Sequence, residues 1–587
     1  MDAVKYPVAS ENSENLEKGD GGERPREWHK LAQTGCGTSP GAYINYNRIN
    51  YPRATRRFVM SINEIVAKVG DLKDGEMKEV LVSDTKVLLA KIKGVFYATG
   101  GECTHYGGPL AEGSLNGERV VCPWHQANFN VITGGILEPP ALDNLPRFEV
   151  RVEDDKVIVT LPDEGGSPHP PPMCRCKVQA DRRTFVVLGA GAAGNAAAQT
   201  LREDGFQGRI VMISQEQRLP YDRPNLSKGY LAGSAGPESL PLRGEDFYQS
   251  HDIETLLGRQ VVRVDAVAKS IAFVDGAVLS YDSLLLATGG KARPLAVPGA
   301  ELAKVFTLRS ADDADAIIAA AGEVTRVVVV GASFIGMETA ASLTKRGLQV
   351  TVVGPGAIPF SSILGPEIGK MLIDLHQEQG VSFRMGERVT RLEGADRVEM
   401  VVLDSGDRLA GDLILAGLGI RPATGFLKDI PLNPDGSITV DQYLRVREDL
   451  YAAGDIAHFP DWRTGESIRI EHWRLAEQHG RLAAHNMAGK LAPWRGVPFF
   501  WTEQFDLNLQ YVGYAATWDE IIFYGDPRER KFVAFYAKDN RVLAAAGLEH
   551  DREMTAIAEL MRLSQMPTPQ ELKKKQVDLV DRLRSLA

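Results

Sequence analysis

The sequence is poor in cysteine. Five cysteines serve 587 residues, at positions 36, 103, 122, 174 and 176. So odd and sparse a set does not make a disulfide framework, and it fits a reducing compartment. We therefore predict a cytoplasmic protein, in which a cysteine pair close to histidines is a candidate metal site.

The sequence also lacks an excess of positive charge and long apolar runs. Lys and Arg number 67 against 77 Asp and Glu, a net charge of −10, and this sign disfavours a chain that must neutralise nucleic-acid phosphates. No run approaches the roughly 18 apolar residues of a membrane helix, and the N-terminal residues hold no apolar signal-peptide core. Neither nucleic acid nor a membrane is expected as a partner.

What the sequence does contain indicates several domains. Its length is several times that of a usual domain of about 100–200 residues, and 44% hydrophobic with 25% charged residues is typical of packed globular cores. Residues 1–59 are polar and show neither hydrophobic period, so we predict a disordered and dispensable tail. Met60 begins the first strand-like stretch and resembles a natural start.

Residues 60–162 carry short runs of strand-forming residues separated by turn residues, which predicts a small all-β domain. The runs begin at Val80, Val87, Val95, Arg119, Phe148 and Val157. Residues 163–181 follow as a Pro- and Gly-rich linker. Within it, Cys174 and Cys176 form a Cys-x-Cys pair whose role is left open.

After the linker, strands alternate with helices. One βαβ unit begins at Thr184 and another at Val327, each with a glycine-rich turn after its first strand. The chain is thus predicted to be multidomain, with two α/β Rossmann-type dinucleotide-binding domains after the β domain. The first is split into 182–308 and 428–495 around the second at 309–427, and 496–587 form a C-terminal α+β domain.

Two motifs in the β domain contain residues that bind metals. Cys103-Thr-His105 is followed by Cys122-Pro-Trp-His125. Four such ligands could hold zinc, but the one-residue spacing between Cys103 and His105 is tighter than in a usual zinc knuckle. A Rieske [2Fe–2S] centre needs two Cys on one iron and two His on the other, which two loops with one residue of each type supply.

Over residues 60–162 these motifs resemble the two boxes of Rieske ferredoxins. The places where respiratory Rieske proteins carry an additional disulfide hold no Cys, so the resemblance is to the soluble ferredoxin type. It implies a [2Fe–2S] cluster on Cys103, His105, Cys122 and His125. Neutral imidazoles in place of two thiolates put the expected potential at about −150 to +300 mV, where the cluster can accept electrons from a reduced flavin.

The first βαβ unit predicts a dinucleotide site. Gly189, Gly191 and Gly194 lie between a strand and a helix, where a pyrophosphate can lie on bare backbone at the positive helix N-terminus. Glu216 follows the next strand, at the place where a carboxylate binds an adenosine ribose.

The second unit reads Gly331-Ala-Ser333-Phe-Ile-Gly336, with Ser in place of the middle glycine. Ser is small enough to be tolerated there, so this unit is expected to bind NADH or NADPH. Gly354 ends its second strand, where an acid would select NAD, and no Arg follows closely to receive a 2′-phosphate. The preference between the two nucleotides stays open.

Further motifs resemble the flavoprotein members of the pyridine-nucleotide-disulfide oxidoreductase family, over about residues 182–500. They are Thr288-Gly289 after one strand and Gly454-Asp455 after another. The resemblance implies that FAD binds the first unit, with Asp455 on its ribityl chain. The Cys-x-x-x-x-Cys pair of the disulfide reductases is missing, which excludes thiol–disulfide chemistry.

One segment narrows the resemblance. Residues 219–228, which include Arg223 and Lys228, are similar to the R-P-P-L-S-K segment of oxygenase-system ferredoxin reductases and of apoptosis-inducing-factor-like flavoproteins. The resemblance implies that Lys228 pairs with Glu338 beside the flavin N5. It also implies that aromatic residues line the flavin site: Phe334, His472 or Trp473, and Trp501. For Phe334 and Trp501 an ordinary role in the core stays equally open.

These sites together predict an NAD(P)H-dependent FAD oxidoreductase of the ferredoxin reductase type. Electrons would pass from NAD(P)H through FAD to the chain's own cluster, and then to an external acceptor, a protein or a small molecule. An alternative is a redox signalling or binding protein like apoptosis-inducing factor. A Rieske oxygenase is set aside, because Arg463 stands where its iron motif, begun here by Asp455 and His458, needs a second His.

Overall fold

A computed structural model describes residues 61–162, 166–574 and 577–586. The predicted tail and its proposed start at Met60 lie outside these residues, as do residues 163–165 of the predicted linker. From residue 61 onward, the described residues belong to one compact unit.

The β domain consists of two antiparallel sheets. Its strands are β1 Ile62–Lys68, β2 Met77–Val82, β3 Thr85–Ile92, β4 Val95–Gly100, β5 Ser114–Asn116, β6 Arg119–Val121, β7 Asn128–Asn130, β8 Ile136–Glu138, β9 Arg147–Glu153 and β10 Lys156–Leu161. One sheet has the order β1-β10-β9-β4-β3-β2, and the other has β5-β6-β7-β8. The predicted all-β domain is confirmed; β5, β7 and β8, each three residues long, are additional to the predicted runs.

The smaller sheet packs into a core that also holds the bases of both cysteine loops. Cys103 and Cys122 are 4% and 1% exposed and lie in one cluster with Leu110, Val120 and Phe129. Close packing therefore fixes where each loop leaves the domain.

The described part of the linker is fastened to the first α/β domain. The Cys174 amide donates to the Arg202 carbonyl at 3.0 Å, and its thiol donates to the Phe206 carbonyl at 3.2 Å. The Cys176 amide donates to the Asp252 carboxylate at 3.0 Å. Arg202 itself is fully buried, so the Cys-x-Cys pair rests on a rigid support.

The first dinucleotide domain has a parallel central sheet of order β13-β12-β11-β17-β30, with β29 antiparallel at its edge. Its first part contains β11 Thr184–Leu188, α1 Ala192–Glu203, β12 Arg209–Ile213, α2 Gly229–Ala232, α3 Glu245–Ser250, β13 Ile253–Leu256, β14 Val261–Asp265, β15 Ser270–Phe273, β16 Val278–Ser280, β17 Ser283–Leu286 and β18 Gly290–Ala292. Strand β11 is buried and its neighbours run parallel to it, as the apolar run at Thr184 predicts.

The second domain has the parallel order β19-β26-β20-β21-β22. Its elements are β19 Val305–Thr307, α4 Ala311–Ala321, β20 Arg326–Val330, α5 Phe334–Lys345, β21 Gln349–Gly354, α6 Pro366–Glu378, β22 Ser382–Met385, β23 Val389–Glu393, β24 Met400–Leu403, β25 Arg408–Ala410, β26 Leu413–Ala416 and β27 Ile420–Pro422. The predicted boundary at 308/309 is a few residues late, since β19 pairs with β26 in this sheet.

The chain then returns to the first domain and ends in an antiparallel sheet with helices. The returning part contains β28 Ile438–Thr439, β29 Arg445–Arg447, β30 Leu450–Ala452, β31 Ala457–Pro460, β32 Ser467–Ile468 and α7 Trp473–Met487. The C-terminal domain contains β33 Phe499–Gln504, β34 Leu507–Gly513, β35 Glu520–Asp526, β36 Lys531–Lys538, β37 Arg541–Leu548, α8 Asp551–Arg562, α9 Pro569–Lys573 and α10 Leu579–Arg584. No helix in the described ranges is long and apolar enough to cross a membrane.

Helix α7 crosses α1 at very short distance because a glycine lies at the crossing. A Cβ atom built on Gly480 would lie 2.0 Å from the carbonyl oxygen of Ala193 and 2.9 Å from its Cα. These neighbours are backbone atoms of a buried helix and cannot move aside as a side chain can. The glycine thus sets the position of α7.

We expect Gly480→Ala to destabilise the first dinucleotide domain by about 1–3 kcal/mol, the usual cost of overpacking. A lower midpoint of thermal unfolding would show this. Gly244→Ala is the matched control, because a Cβ atom there meets nothing within 4 Å. Equal midpoints for the two variants would contradict the tight crossing.

Candidate functional site

Two loops of the β domain have the same backbone path and carry the four predicted cluster ligands. The amide of Cys103 donates to the Gly108 carbonyl, and the amide of Cys122 donates to the Ala127 carbonyl, each at 2.8 Å. In both loops the fourth residue after the cysteine is left-handed, with φ 76° at Gly107 and 55° at Gln126. Each loop therefore presents one Cys at its base and one His at its tip.

The ligands meet in like pairs. The Nδ1 atoms of His105 and His125 are 3.2 Å apart, and the thiols of Cys103 and Cys122 lie close enough that each shifts the pKa of the other. Among the described residues, no three or more His, Cys, Asp or Glu side chains are arranged so that they could hold one metal ion together. Separate thiol and imidazole pairs are what a two-iron Rieske cluster requires.

The protonation states also suit metal binding. Burial lowers the pKa of His105 to about 3, and it lowers the pKa of His125 as well, so both imidazoles are neutral and have a lone pair free. Gly108 is required between the loops, since a Cβ atom there would lie 2.8 Å from the Cys122 sulfur.

A second site is a cleft of about 1750 Å³ between the dinucleotide domains. At its base the first glycine-rich turn is built as predicted. A Cβ atom would meet backbone oxygens at 2.1 Å on Gly189 and at 1.8 Å on Gly194, whereas one on Gly191 would meet nothing within 4 Å. The open backbone at Gly191, next to the start of α1, leaves space for a pyrophosphate.

Charged side chains line the cleft beyond this turn. Glu216 accepts hydrogen bonds from Arg223 at 2.9 Å and from the Tyr221 hydroxyl at 2.6 Å. Burial opposes ionisation of Glu216, but Arg223, the Tyr221 hydroxyl and Arg309 together outweigh it and lower the pKa. Asp455 binds Arg309 at 3.0 Å. Arg309 was not predicted, because nothing in its sequence neighbourhood marks it as a partner of Asp455.

The remaining predicted FAD residues also line the cleft, and most act through the backbone. Gly289 and Gly454 have φ of 61° and 72°. The hydroxyl of Thr288 donates to the Ala423 carbonyl at 2.8 Å, so it holds the neighbouring loop in place.

The geometry of the second glycine-rich turn shows why a serine can stand in place of its middle glycine. The Ser333 hydroxyl accepts from the Gly336 amide at 3.2 Å and donates to the Gly417 carbonyl at 2.8 Å. It caps α5 in the way that Ser residues commonly do. Gly331 has φ 107°. Gly354 ends β21 and has no side chain that could bind a ribose hydroxyl or a 2′-phosphate.

The predicted pair of Lys228 and Glu338 meets beside the cleft. The Lys228 ammonium lies 2.9 Å from the Glu338 carboxylate, which is 3% exposed. That carboxylate also accepts from Ser227 at 2.5 Å and from Thr502 at 2.8 Å. Ser227 and Thr502 thus hold the Glu338 carboxylate in place for its ion pair with Lys228.

Aromatic side chains connect the cleft to the cluster loops. Phe334 stacks on Phe360 with ring centroids 4.4 Å apart. His472 and Trp473, at the start of α7, line the cleft, and so does Trp501. The ring of Trp501 also lies 4.4 Å from that of His125. Trp501 is therefore in contact with a predicted cluster ligand and with the cleft at once.

Contacts between distant segments hold the β domain in this place. The Tyr106 hydroxyl donates to the buried Asp222 carboxylate, and the Gln510 amide donates to the Pro123 carbonyl at 2.8 Å. Tyr106, Asp222 and Gln510 were not predicted, because residues 116 to 387 positions apart share no local pattern.

We expect His105→Cys in the full chain to keep a [2Fe–2S] cluster but to change its absorption spectrum and lower its potential, because a thiolate adds negative charge. A redox titration followed by absorbance would show it. Binding of one zinc without sulfide by the unsubstituted chain would contradict the cluster.

Models of three families match the chain. They are the pyridine nucleotide-disulphide oxidoreductase family over residues 183–480, the Rieske [2Fe-2S] domain over 63–149 and the reductase C-terminal domain over 499–583. They account for the two α/β domains, the β domain and the C-terminal domain, which confirms the predicted fold class. The first implies FAD and NAD(P)H, and the second a [2Fe–2S] cluster.

Individual proteins are similar over long stretches. Human apoptosis-inducing factor 3 is 37% identical over 95% of this chain and 94% of its own; this share exceeds residues 60–587, so the match includes part of the first 59 residues. Rhodocoxin reductase from Rhodococcus erythropolis is 34% identical over 68% of this chain and 93% of its own.

Two solved structures share the fold of the reductase part. One is a ferredoxin reductase from Rhodopseudomonas palustris, with a TM-score of 0.65 and 33% identity over 68% of this chain and 99% of its own. The other is the covalent putidaredoxin reductase–putidaredoxin complex, with a TM-score of 0.65 and 31% identity over 69% and 99%. The chain belongs to the pyridine nucleotide-disulphide oxidoreductase family, as an NAD(P)H-dependent reductase of the ferredoxin reductase type joined to a Rieske [2Fe–2S] domain.

Proposed function

We propose that the chain transfers electrons from NAD(P)H through FAD to its own Rieske cluster and on to an external one-electron acceptor. Bound FAD would accept a hydride as an electron pair and release single electrons. One NAD(P)H and two oxidised acceptors would thus become NAD(P)⁺, H⁺ and two reduced acceptors. The contact of Trp501 with His125 carries the proposal, because it joins the cleft to a cluster ligand.

The other residues would bind and orient. Gly189, Gly191 and Gly194 would hold the FAD pyrophosphate, with Asp455 on its ribityl chain. Gly331 and Gly336 would hold NAD(P)H. Lys228, fixed by Glu338 at 2.9 Å, would place a positive charge next to the flavin N5 and favour the arrival of a hydride.

The single chain removes a diffusional step. The putidaredoxin reductase structure is a complex of two proteins, reductase and putidaredoxin. Here the Rieske domain is part of the reductase chain, and a short tether gives about millimolar effective concentrations. This supports transfer within the chain before electrons leave it.

The similarity to apoptosis-inducing factor 3 supports a second candidate, a redox-dependent binding protein. Such a protein would reduce its cluster without sustained turnover of an acceptor. Steady-state reduction of cytochrome c by NADH separates the two. The cytoplasmic location stays a prediction, and the acceptor is predicted only as an external protein or small molecule.

We expect Trp501→Ala to slow reduction of the cluster by NADH by about tenfold or more, a barrier of about 1.4 kcal/mol, while flavin reduction stays near its original rate. Stopped-flow absorbance resolves the two steps. Trp518→Ala is the matched control, since Trp518 packs on Tyr536 and lies off the cleft. A cluster that stays oxidised in the unsubstituted chain while its flavin is reduced would refute the proposed function.

We expect Lys228→Ala to slow flavin reduction by about tenfold or more, because a preorganised charge is lost where negative charge develops. FAD retention should change less, since Lys228 is not part of the pyrophosphate turn. Stopped-flow rates and flavin-to-protein ratios measure both. Lys345→Ala, at the far end of α5, is the control; equal rates in both variants would remove Lys228 from the mechanism.

A further inference from the structure

The start of α7 faces both redox sites. His472 and Trp473 line the cleft, and the next residue, Arg474, points to the Rieske domain. Its Nε atom donates to the Gln126 carbonyl at 3.1 Å and to the Pro139 carbonyl at 2.9 Å. One helical turn thus contacts the cleft and the loop that follows a cluster ligand.

Arg474 is a buried cation without a carboxylate partner of its own. It is 4% exposed, and in the described part of the chain its hydrogen bonds go to those two backbone carbonyls. Burial lowers the pKa of Arg474 to about 10, which leaves the guanidinium charged at neutral pH. Burying a charge without an ion-pair partner is costly, and the hydrogen bonds to the two carbonyls offset only part of that cost.

Three acids lie near enough to Arg474 to raise its pKa, but in the described residues none forms an ion pair with it within 4 Å: Glu138, Glu477 and Glu559. Glu138 is ionised but is shared by Gln478 at 2.7 Å and Arg119 at 3.5 Å. Glu477 is 3% exposed, and burial raises its pKa well above the usual range. Glu477 therefore opposes the charge of Arg474 less than an ordinary carboxylate would, and Arg474 itself lies directly on the cluster loop.

Arg474 holds the cluster loop itself. Gln126 directly follows His125, and its amide donates back to the Cys122 carbonyl at 3.2 Å. The carbonyl that Arg474 binds therefore belongs to the turn that carries two of the four ligands. Reduction adds one negative charge to the cluster, and a cation fixed in a low-dielectric interior stabilises that charge.

We propose that Arg474, when the β domain lies on the reductase part as it does here, raises the reduction potential of the Rieske cluster. A higher potential favours electron transfer from the flavin to the cluster. The inference rests on the proposed function. In this step one electron would leave a reduced flavin bound in the cleft and one ferric iron of a bound cluster would become ferrous, while Arg474 would keep its proton. Arg474 is a positioning residue, since it acts through the loop and its charge.

The test is a dithionite titration of the full-length holoprotein, with the cluster potential read from its absorbance. Arg474→Gln keeps a hydrogen-bond donor but loses the charge, and we expect it to lower the equilibrium constant for cluster reduction about tenfold, or about 59 mV for a one-electron couple. Arg474→Lys keeps the charge and should stay close to the original potential. Glu138→Gln removes the opposing charge and should shift the potential upward.

Arg326→Gln is the control, because Arg326 is paired with Asp412 at 2.6 Å in the second dinucleotide domain and should leave the potential unchanged. A potential of Arg474→Gln equal to that of the original chain would overturn the inference, and so would a downward or absent shift in Glu138→Gln. If Arg474→Gln fails to bind a cluster, the direction in which Glu138→Gln shifts the potential decides whether the inference stands. The titration uses no NAD(P)H, so a failure of internal transfer leaves its outcome unaffected.

Discussion

The contact between His125 and Trp501 determines how the other parts of the molecule must be arranged. A separation of 4.4 Å between the rings is kept only if the β domain is held on the reductase part from several sides. The Tyr106–Asp222 bond, the Gln510–Pro123 bond and the two bonds of Arg474 serve this purpose. They join the β domain to two other domains, the first dinucleotide domain and the C-terminal domain, so the β domain is held from more than one side.

Helix α7 contacts both the cleft and the cluster loop. Its first turn lines the cleft and holds the cluster loop, while its middle is fixed on α1 by Gly480. Any movement of the helix would therefore change the surroundings of both sites together. A backbone contact without side chains leaves little room for such movement.

Sequence patterns predicted the parts of the site that are local. The Cys and His ligands and the glycines at 189, 191, 194, 331 and 336 lie in short motifs whose spacing follows from loop and helix geometry. Lys228 and Glu338 came from a family resemblance, since 110 positions separate them.

The missed residues make contacts that no local pattern records. Arg309 meets the predicted Asp455, and Tyr106 meets Asp222, only because separate domains pack together. The same holds for β19, whose place in the second sheet depends on a partner strand more than a hundred residues later.

The occupied face of Trp501 has a consequence for the choice of partners. A separate ferredoxin that approached this side of the reductase would meet the Rieske domain already seated there. Under the proposed function, selectivity for acceptors would therefore depend on the outer surface of a small domain of ten short strands, and not on the reductase surface. Such a domain can diverge to suit new acceptors without disturbing the nucleotide-binding machinery behind it.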